Sequence, residues 1–379
     1  MSKRANGEGS IRQRPNGRWE GRLSYVDPAT ELRKSVSVYG ASAAETRSKL
    51  KVVRQRLDDG QPAKDSAMTV GAWCQTWRDS ALEASDRKAT TRALYGGLSR
   101  KHLEAGTISR KPLDKLKATD VESLIVALRK SGLSESTVRQ IYTVLRAAME
   151  IAVRDGLLGS NPVAKVPRPK VTPHEAKHLS ADEVKVLLEQ AKSSRYFLAV
   201  LLMATTGLRR GEVVGLAWSD VDMEQREIRV RHTLNRVDGE LVLSEPKTAR
   251  SRRRIPLLPS VVAELRSWRL RQKQERLRAG DQWADTGMVF TTELGTMVDP
   301  RNLLRVVSAA AKAAGLEDVV AHSLRHSAAV AMLEAGVHIK AVADLLGHSS
   351  ISITGDIYGH TSDDAAKSAI ASLGEALGT

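Results

Sequence analysis

The chain has 379 residues, 41% of them hydrophobic, which is enough for two or three domains with proper cores and excludes a disordered protein. It carries 59 Lys and Arg against 44 Asp and Glu, and the net charge of +15 favours a polyanionic partner, nucleic acid first. The single cysteine, Cys74, excludes an internal disulfide framework and a cysteine-rich zinc site, and its apolar helical surroundings predict a core position. Because the chain shows no signal peptide and no apolar run of about 18 residues, we expect a cytoplasmic protein.

Residues 1–63 predict a small domain of three strands and one helix. Two β-prone runs flank a Pro-Asn-Gly turn, "LRKSVSVYG" supplies a third strand, and a capping box from Ser42 to Glu45 begins the helix. Basic residues outnumber acidic ones here, and a basic sheet can enter a DNA groove. We therefore expect this domain to bind DNA, with a solvated sheet face as the alternative.

Residues 66–165 predict an all-helical domain. Thr69 and Ser134 are expected to cap helices, and Thr119 with Glu122 forms a capping-box pattern. After Ser134 the apolar residues recur at helical spacing and predict a buried stripe. Basic side chains between the apolar ones can contact phosphates, namely Lys88, Arg92, Arg139 and Arg146.

Residues 166–178 form a basic, proline-rich linker, and residues 179–379 form the largest domain. Ser180 and Glu183 predict a capped helix, which the buried apolar helix "YFLAVLLMATTG" follows. The segments "REIRVRH", "ELVLSE" and "RRRIPL" predict one small antiparallel sheet. Further helices are expected at 260–279, 300–314, 323–335, 339–346 and 363–377. The predicted fold class is multidomain, mainly α with small antiparallel sheets (α+β).

Two basic motifs are suited to phosphate. In "TGLRRGE" Arg209 and Arg210 stand at the start of a short helix, and Glu212 can hold a guanidinium fork in place. In "LSEPKTARSRRRIPL" Lys247 lies on or beside a β-turn, where it can reach a phosphate or give a proton to a leaving alkoxide. Solvated arginines and a solvated hairpin are the alternatives. The arginines after Lys247 are expected to contact the DNA backbone, namely Arg250, Arg252, Arg253 and Arg254.

Histidines and one tyrosine complete the set. "HSLRH" places His322, Arg325 and His326 on one side of a helix start, where anions are favoured. The two histidines can also hold zinc, but no third ligand has the required spacing. In "LLGHSSISITGDIYGH" His348 follows a tight turn and Tyr358 comes ten residues later. Taken alone, Tyr358 is either a buried tyrosine or a nucleophile.

One reaction uses all of these groups. A tyrosine oxygen that attacks a DNA phosphodiester needs cations to offset the charge on the phosphoryl oxygens, and an acid for the departing 5′-oxygen. Tyrosine has a pKa near 10, so it must lose its proton during the attack. Arginines, a lysine and histidines supply these parts without a metal ion or cofactor. A covalent phosphotyrosine conserves the bond energy, so resealing needs no ATP.

In this order and spacing, "TGLRRGE", a hairpin lysine, "HSLRH", "LLGH" and the following tyrosine resemble the tyrosine recombinase family, and more narrowly bacteriophage-type integrases. The resemblance covers the whole chain. It implies an arm-type DNA-binding domain at 1–63, a core-binding domain at 66–165 and a catalytic domain at 179–379. It also implies a site-specific DNA recombinase that works through a 3′-phosphotyrosine intermediate and integrates or excises a phage or other mobile element.

The resemblance assigns the reacting groups by position. Arg209 and Arg325 match the two arginines that bind the scissile phosphate. Lys247 matches the hairpin lysine, the general acid toward the leaving 5′-oxygen, although that hairpin offers Arg250 as a basic alternative. Tyr358 matches the nucleophile.

The same resemblance assigns the supporting groups. His322 matches the histidine of the H-x-x-R motif, and His348 matches a later position that hydrogen-bonds the phosphate. Glu212 matches an acidic residue that supports the site, and His326 and Gly347 match supporting positions.

The implied partners are double-stranded DNA attachment sites of core and arm type and a homotetramer that exchanges strands through a Holliday junction. A host DNA-bending protein and a directionality factor are further candidates. The final helix is expected to pack on a neighbouring protomer or on its own domain. Gly355 departs from the family, which often has an apolar residue there, so we predict a mobile tyrosine segment at 350–360.

Three other functions remain open from the sequence. A type IB topoisomerase shares the chemistry, and an inactive DNA-binding regulator shares the fold. A metal-dependent nuclease would need acidic ligands, but the scattered aspartates lack ligand spacing and are more typical of caps and solvated faces. They are Asp220, Asp222, Asp299, Asp363 and Asp364.

Overall fold

The computed structural model describes residues 9–26, 32–58, 68–172, 178–245 and 252–348, together with Ser350 and Gly355. The chain forms two compact units, residues 1–173 and 174–379. Within the described ranges no helix is long and apolar enough to cross a membrane.

The first unit begins with the predicted sheet and helix. Strands β1 (Ser10–Gln13), β2 (Trp19–Val26) and β3 (Arg33–Gly40) pair antiparallel in that order, and α1 (Ala43–Asp58) follows. The capping box is confirmed, because the amide of Glu45 donates to Ser42 Oγ while its carboxylate accepts from the amide of Ala41. A small core joins sheet and helix through Leu23, Val36, Leu50 and Val53.

The rest of the first unit is helical, with α2 (Val70–Trp77), α3 (Ala89–Leu98), α4 (Ala118–Lys130) and α5 (Glu135–Arg154). Thr69 and Ser134 cap α2 and α5 as predicted. The capping box predicted at Thr119 is wrong, because α4 begins earlier and Asp120 accepts from the amide of Lys117 at 2.9 Å. The predicted apolar stripe of α5 is buried, and so is Cys74. This stripe is the centre of the first unit's larger core.

The second unit carries the remaining elements. Its first helices are α6 (Ala181–Ala191), α7 (Phe197–Thr206) and α8 (Arg210–Val214). Its strands are β4 (Val221–Asp222), β5 (Glu227–Val230), β6 (Thr233–Val237), β7 (Glu240–Ser244) and β8 (Arg253–Pro256). Its later helices are α9 (Pro259–Ala279), α10 (Pro300–Ala313), α11 (Ala321–Glu334) and α12 (Ile339–Leu346). These match the helices expected up to 346, whereas the helix expected at 363–377 lies outside the described residues.

Helix α7 lies at the centre of this unit. It is apolar on all sides and packs against α6, α9, α10 and α11. The predicted capping box of α6 is confirmed, with the amide of Glu183 on Ser180 Oγ and the amide of Ser180 on the Glu183 carboxylate. Because α11 packs directly on α7, the end of α7 and the start of α11 are brought to the same place.

The predicted single sheet is wrong, since the described strands of this unit form two sheets. Strands β4, β5 and β8 pair antiparallel in that order, and β6 pairs with β7 as a separate hairpin. The β6–β7 turn is made by Asp238 and Gly239, both at positive φ. On β8, Ile255 is buried and Arg254 is exposed, so Arg253, two residues before Ile255, faces the interior.

Candidate active site

The end of α7 places the first arginine. Gly207 has φ 65, in the left-handed region that ends helices, and the chain then turns so that Arg209 precedes α8. Glu212, in the first turn of α8, accepts from the amide of Arg209 at 2.9 Å and from its Nη1 at 2.8 Å. The predicted support of Arg209 by Glu212 is therefore confirmed. Arg210 is exposed and takes no part in this arrangement.

Glu212 is a buried carboxylate held between two arginines. Arg253 Nη2 lies 2.9 Å from Glu212 Oε2, and Arg253 Nη1 lies 3.3 Å from Oε1. Burial alone would raise the pKa of Glu212, but the hydrogen bonds and charges of Arg253 and Arg209 outweigh it and hold the pKa below its ordinary value. Arg253 was expected to contact the DNA backbone, but both of its terminal nitrogens point inward to Glu212 and 6% of its side chain is exposed.

Arg325 is a buried cation on α11. It is 2% exposed, and it donates from Nη1 to the carbonyl oxygen of Gly207 at 2.7 Å and from Nη2 to that of Leu346 at 2.6 Å. Burial and the charge of Arg209 lower the pKa of Arg325 to about 9, so it is still protonated at neutral pH. No carboxylate among the described residues forms an ion pair with it. Since an uncompensated buried charge is costly, this position is suited to a bound anion.

Three histidines lie around Arg325. The rings of His322 and His326 meet edge to face with their centroids 4.5 Å apart, as expected for neighbours on one helix face. His348 follows the α12 turn at Gly347, is 8% exposed, and donates its amide to the carbonyl of Ala343. The structure thus brings all three histidines close to Arg325.

Burial and the charge of the site keep the rings of His322 and His348 neutral. Burial and the charges of Arg325 and Arg209 lower the pKa of His348 to about 4. Partial burial, His326 and the same arginines lower the pKa of His322 to about 4. At neutral pH both rings are therefore hydrogen-bonding groups, while the positive charge resides on the arginines.

Two predicted residues, Lys247 and Tyr358, lie outside the described residues. The strands on either side of Lys247 are described and belong to different sheets, β7 to the hairpin and β8 to the three-stranded sheet. The tyrosine segment predicted to be mobile is described at Ser350 and Gly355 alone, so that prediction is untested.

The aspartates weighed as metal ligands have other partners where they are described. Asp222 accepts from the amides of Glu224 and Gln225, and Asp299 caps α10 and binds Arg236. In the described part of the chain no three His, Cys, Asp or Glu side chains are grouped so as to hold a metal ion. Asp363 and Asp364 lie outside it.

Comparison with known proteins identifies the family of this chain. Residues 177–365 match the model of the phage integrase family. A tyrosine recombinase described as XerC-like from Caldanaerobacter subterraneus subsp. tengcongensis is 31% identical over 85% of this chain and 87% of its own length.

Two solved structures share the fold. The Tn1549 transposon integrase in complex with a circular intermediate DNA has a TM-score of 0.65 at 23% identity, covering 81% of this chain and 100% of that one. A λ integrase tetramer bound to a Holliday junction has a TM-score of 0.56 at 19% identity, covering 94% and 96%. The chain belongs to the phage integrase family of tyrosine recombinases, the proteins of site-specific DNA recombination.

Proposed function

We propose that this chain cleaves and rejoins DNA at specific sites through a covalent bond between Tyr358 and a 3′-phosphate. The charge balance around Arg325 carries the proposal. Three guanidiniums, of Arg209, Arg253 and Arg325, meet there with one described carboxylate, Glu212, which leaves two positive charges in excess. The transition state of phosphodiester attack carries two negative charges on its phosphoryl group, so the site matches it in sign and size.

Each group then has a role. Arg209 and Arg325 bind the non-bridging oxygens of the scissile phosphate, and Lys247 protonates the leaving 5′-oxygen. His322 and His348 act as neutral hydrogen-bonding partners of the phosphate, since their pKa values of about 4 keep them uncharged at neutral pH.

The chemical step exchanges one phosphoester bond for another. The phenolic oxygen of Tyr358 bonds to phosphorus and gives up its proton to solvent, while the bond from phosphorus to the 5′-oxygen breaks and that oxygen takes a proton from Lys247. The products are a 3′-phosphotyrosyl diester and a free 5′-hydroxyl. Attack by the 5′-hydroxyl of another strand reverses the step and reseals DNA without ATP or a metal ion.

We further propose that four protomers exchange strands through a Holliday junction to integrate or excise a mobile element in the bacterial cytoplasm. The fold shared with the λ integrase tetramer on a junction and with the Tn1549 transposon integrase supports this. Residues 1–63 would bind arm-type sites and residues 66–165 core-type sites. A host DNA-bending protein and a directionality factor would set the direction.

The test is a covalent adduct. A core site is first selected by binding the purified protein to a library of random duplexes. Selected duplexes, each nicked at one of a series of positions, are then incubated with protein in EDTA without ATP. Cleavage next to a nick releases a short oligonucleotide and traps the adduct, which denaturing gels reveal. We expect an adduct with wild type and none with Tyr358→Phe.

A second tyrosine provides the control. Tyr196 lies in the same unit, just before α7, and Tyr196→Phe should form the adduct as wild type does. No adduct with wild type at any nick position would overturn the proposal, whereas an adduct with Tyr358→Phe would move the nucleophile elsewhere. Relaxation of any supercoiled plasmid, with or without the selected site, would instead indicate a topoisomerase.

A further inference from the structure

The C-terminal end of α12 is held by three arginines from three different elements. Three successive backbone carbonyls there each accept from a different guanidinium. These pairs are Leu345 with Arg253 at 2.6 Å, Leu346 with Arg325 at 2.6 Å and Gly347 with Arg209 at 3.3 Å. The two preceding carbonyls accept from the backbone amides of residues 347 and 348. The end of α12 is therefore fixed, and its negative dipole faces positive charge.

Arg253 differs from the other two arginines in its pairing with the carboxylate of Glu212, to which Arg209 gives one terminal nitrogen while those of Arg325 lie on two carbonyl oxygens. Both of its terminal nitrogens lie on the buried carboxylate of Glu212, and its Nε lies on the carbonyl of Leu345. The planar guanidinium is the side chain that can serve these acceptors at once, since an ammonium has no such fork. Arg253 thus ties β8 to α8 and to the end of α12.

Gly347 shows how closely Arg253 fits the turn before His348. A Cβ added at Gly347 would lie 3.0 Å from Arg253 Nη1 and 3.3 Å from its Cδ and Cζ. The guanidinium therefore packs on the backbone at the point where the chain leaves α12. Gly347 also has φ 66, a conformation that other residues rarely adopt.

We infer that Arg253 is a positioning residue of the cleavage reaction. It holds Glu212, which orients Arg209, and it holds the turn that carries His348, without touching DNA itself. The inference rests on the proposed function. It assigns Arg253 to the active site rather than to the basic surface of the hairpin.

Arg195 is a matched arginine whose hydrogen-bond partners lie outside the site. Arg195 binds the carboxylate of Glu275 with both terminal nitrogens, at 2.6 and 2.7 Å, and donates to the carbonyl of Thr291 at 3.2 Å. Its side chain is 15% exposed. Arg195→Lys therefore removes the same kind of contacts without affecting Arg209 or His348.

The experiment compares Arg253→Lys, Arg253→Met and Arg195→Lys with wild type on the nicked, selected duplex. Dissociation constants and single-turnover cleavage rates at saturating protein are measured separately, and the folded fraction comes from circular dichroism. Mutation of a residue that orients a residue of a functional site typically lowers activity about 10- to 100-fold. We expect Arg253→Lys and Arg253→Met to lose at least about tenfold in cleavage rate with DNA binding within about threefold of wild type. Arg195→Lys should keep its cleavage rate per folded molecule.

A second substrate separates positioning from folding. Replacing one non-bridging oxygen of the scissile phosphate by methyl removes the charge that Arg209 would neutralise. If Arg253 acts through Arg209, the loss of cleavage rate in Arg253→Lys, relative to wild type, should be at least about threefold smaller on the methylphosphonate than on the phosphate substrate. Equal losses on both substrates, or wild-type cleavage by both Arg253 variants, would overturn the inference. Absence of an adduct with wild type would instead overturn the proposed function.

Discussion

Arg325 donates to the carbonyl oxygen of Gly207 at 2.7 Å, and so its guanidinium sits on the left-handed turn that ends α7. A second hydrogen bond to Leu346 at 2.6 Å fixes the plane of the same group against the end of α12. Two carbonyls orient this cation, while no described carboxylate forms an ion pair with it. The protein thus holds a preorganised positive charge at the centre of its site, which is what electrostatic catalysis requires.

Replacing Arg325 by lysine should abolish most of the activity while keeping the charge. An ammonium cannot reach both carbonyls and the phosphate in one plane. Loss of one oriented donor typically costs about 10²–10³ in rate, so we expect a loss of that size in single-turnover cleavage. DNA affinity, measured by fluorescence anisotropy, should change little. Arg278→Lys, at an exposed position on α9, is the control. A cleavage rate of Arg325→Lys within about threefold of the rate of Arg278→Lys would contradict the role of Arg325 in phosphate binding.

His348 should stay neutral until the solution is strongly acidic. Its pKa of about 4 in the folded protein lies below the value of about 6.5 expected for an unfolded chain. The unfolded state therefore binds the proton more readily. The stabilisation from the neutral ring is complete above about pH 6.5 and decreases as the pH falls from there towards about 4.

The measurement is an NMR titration of the histidine ring carbons, with the His348 signal assigned by its absence in His348→Asn. A midpoint near 4 is expected. A midpoint at or above the ordinary value of about 6.5 would show that neither burial nor the charge of the arginines lowers the pKa of this ring.

Gly207 should be intolerant of a side chain for two reasons. Its φ of 65 is unfavourable for alanine, and an added Cβ would lie 2.3 Å from Leu346 Cδ2. Gly315 follows α10 with φ 69 and has no heavy atom within 4 Å of such a Cβ, which makes it a matched control. Gly315→Ala should cost about 1 kcal/mol of stability, and Gly207→Ala more.

Thermal unfolding and adduct formation check this prediction together. Gly207→Ala should also slow adduct formation, because Leu346 carries a carbonyl that orients Arg325. Equal thermal midpoints for the two glycine variants would contradict the packing argument.

The tyrosine segment should be stiffened by Gly355→Ala. Alanine favours helix over glycine by about 1 kcal/mol, and a Cβ at Gly355 would meet no heavy atom of the described residues within 4 Å. Hydrogen exchange of peptides covering 350–360 should be slower in the variant than in wild type. Equally slow exchange in both proteins would show that the segment is already rigid and that the prediction of mobility is wrong.

Local signals in the sequence were sufficient where a neighbour three or four residues away decides the structure. The cap at Ser180 and the grouping of His322 with His326 follow from helix geometry alone. The capping box predicted from Thr119 to Glu122 was wrong because Asp120, rather than Glu122, accepts from the amide at the start of the helix. Asp120 is also held there by Lys111.

Local sequence patterns did not predict contacts between residues that are distant in the chain. Strand β7 was expected in one sheet with β5 and β8, but it pairs with β6 through a turn at positive φ, at Asp238 and Gly239. Arg253 was expected on the exposed surface of the hairpin because a run of arginines is typical of a solvated face. The alternation of β8 held the missing signal, since Arg253 shares a face with the buried Ile255.

Tyr358 is the residue that we propose forms the covalent bond to DNA. The most direct measurement is mass spectrometry of the adduct after nuclease and protease digestion, which locates the nucleotide on a peptide. We expect a nucleotide 3′-phosphate on Tyr358 in wild type and no modified peptide with Tyr358→Phe. A nucleotide on any residue other than Tyr358 would contradict the proposed nucleophile.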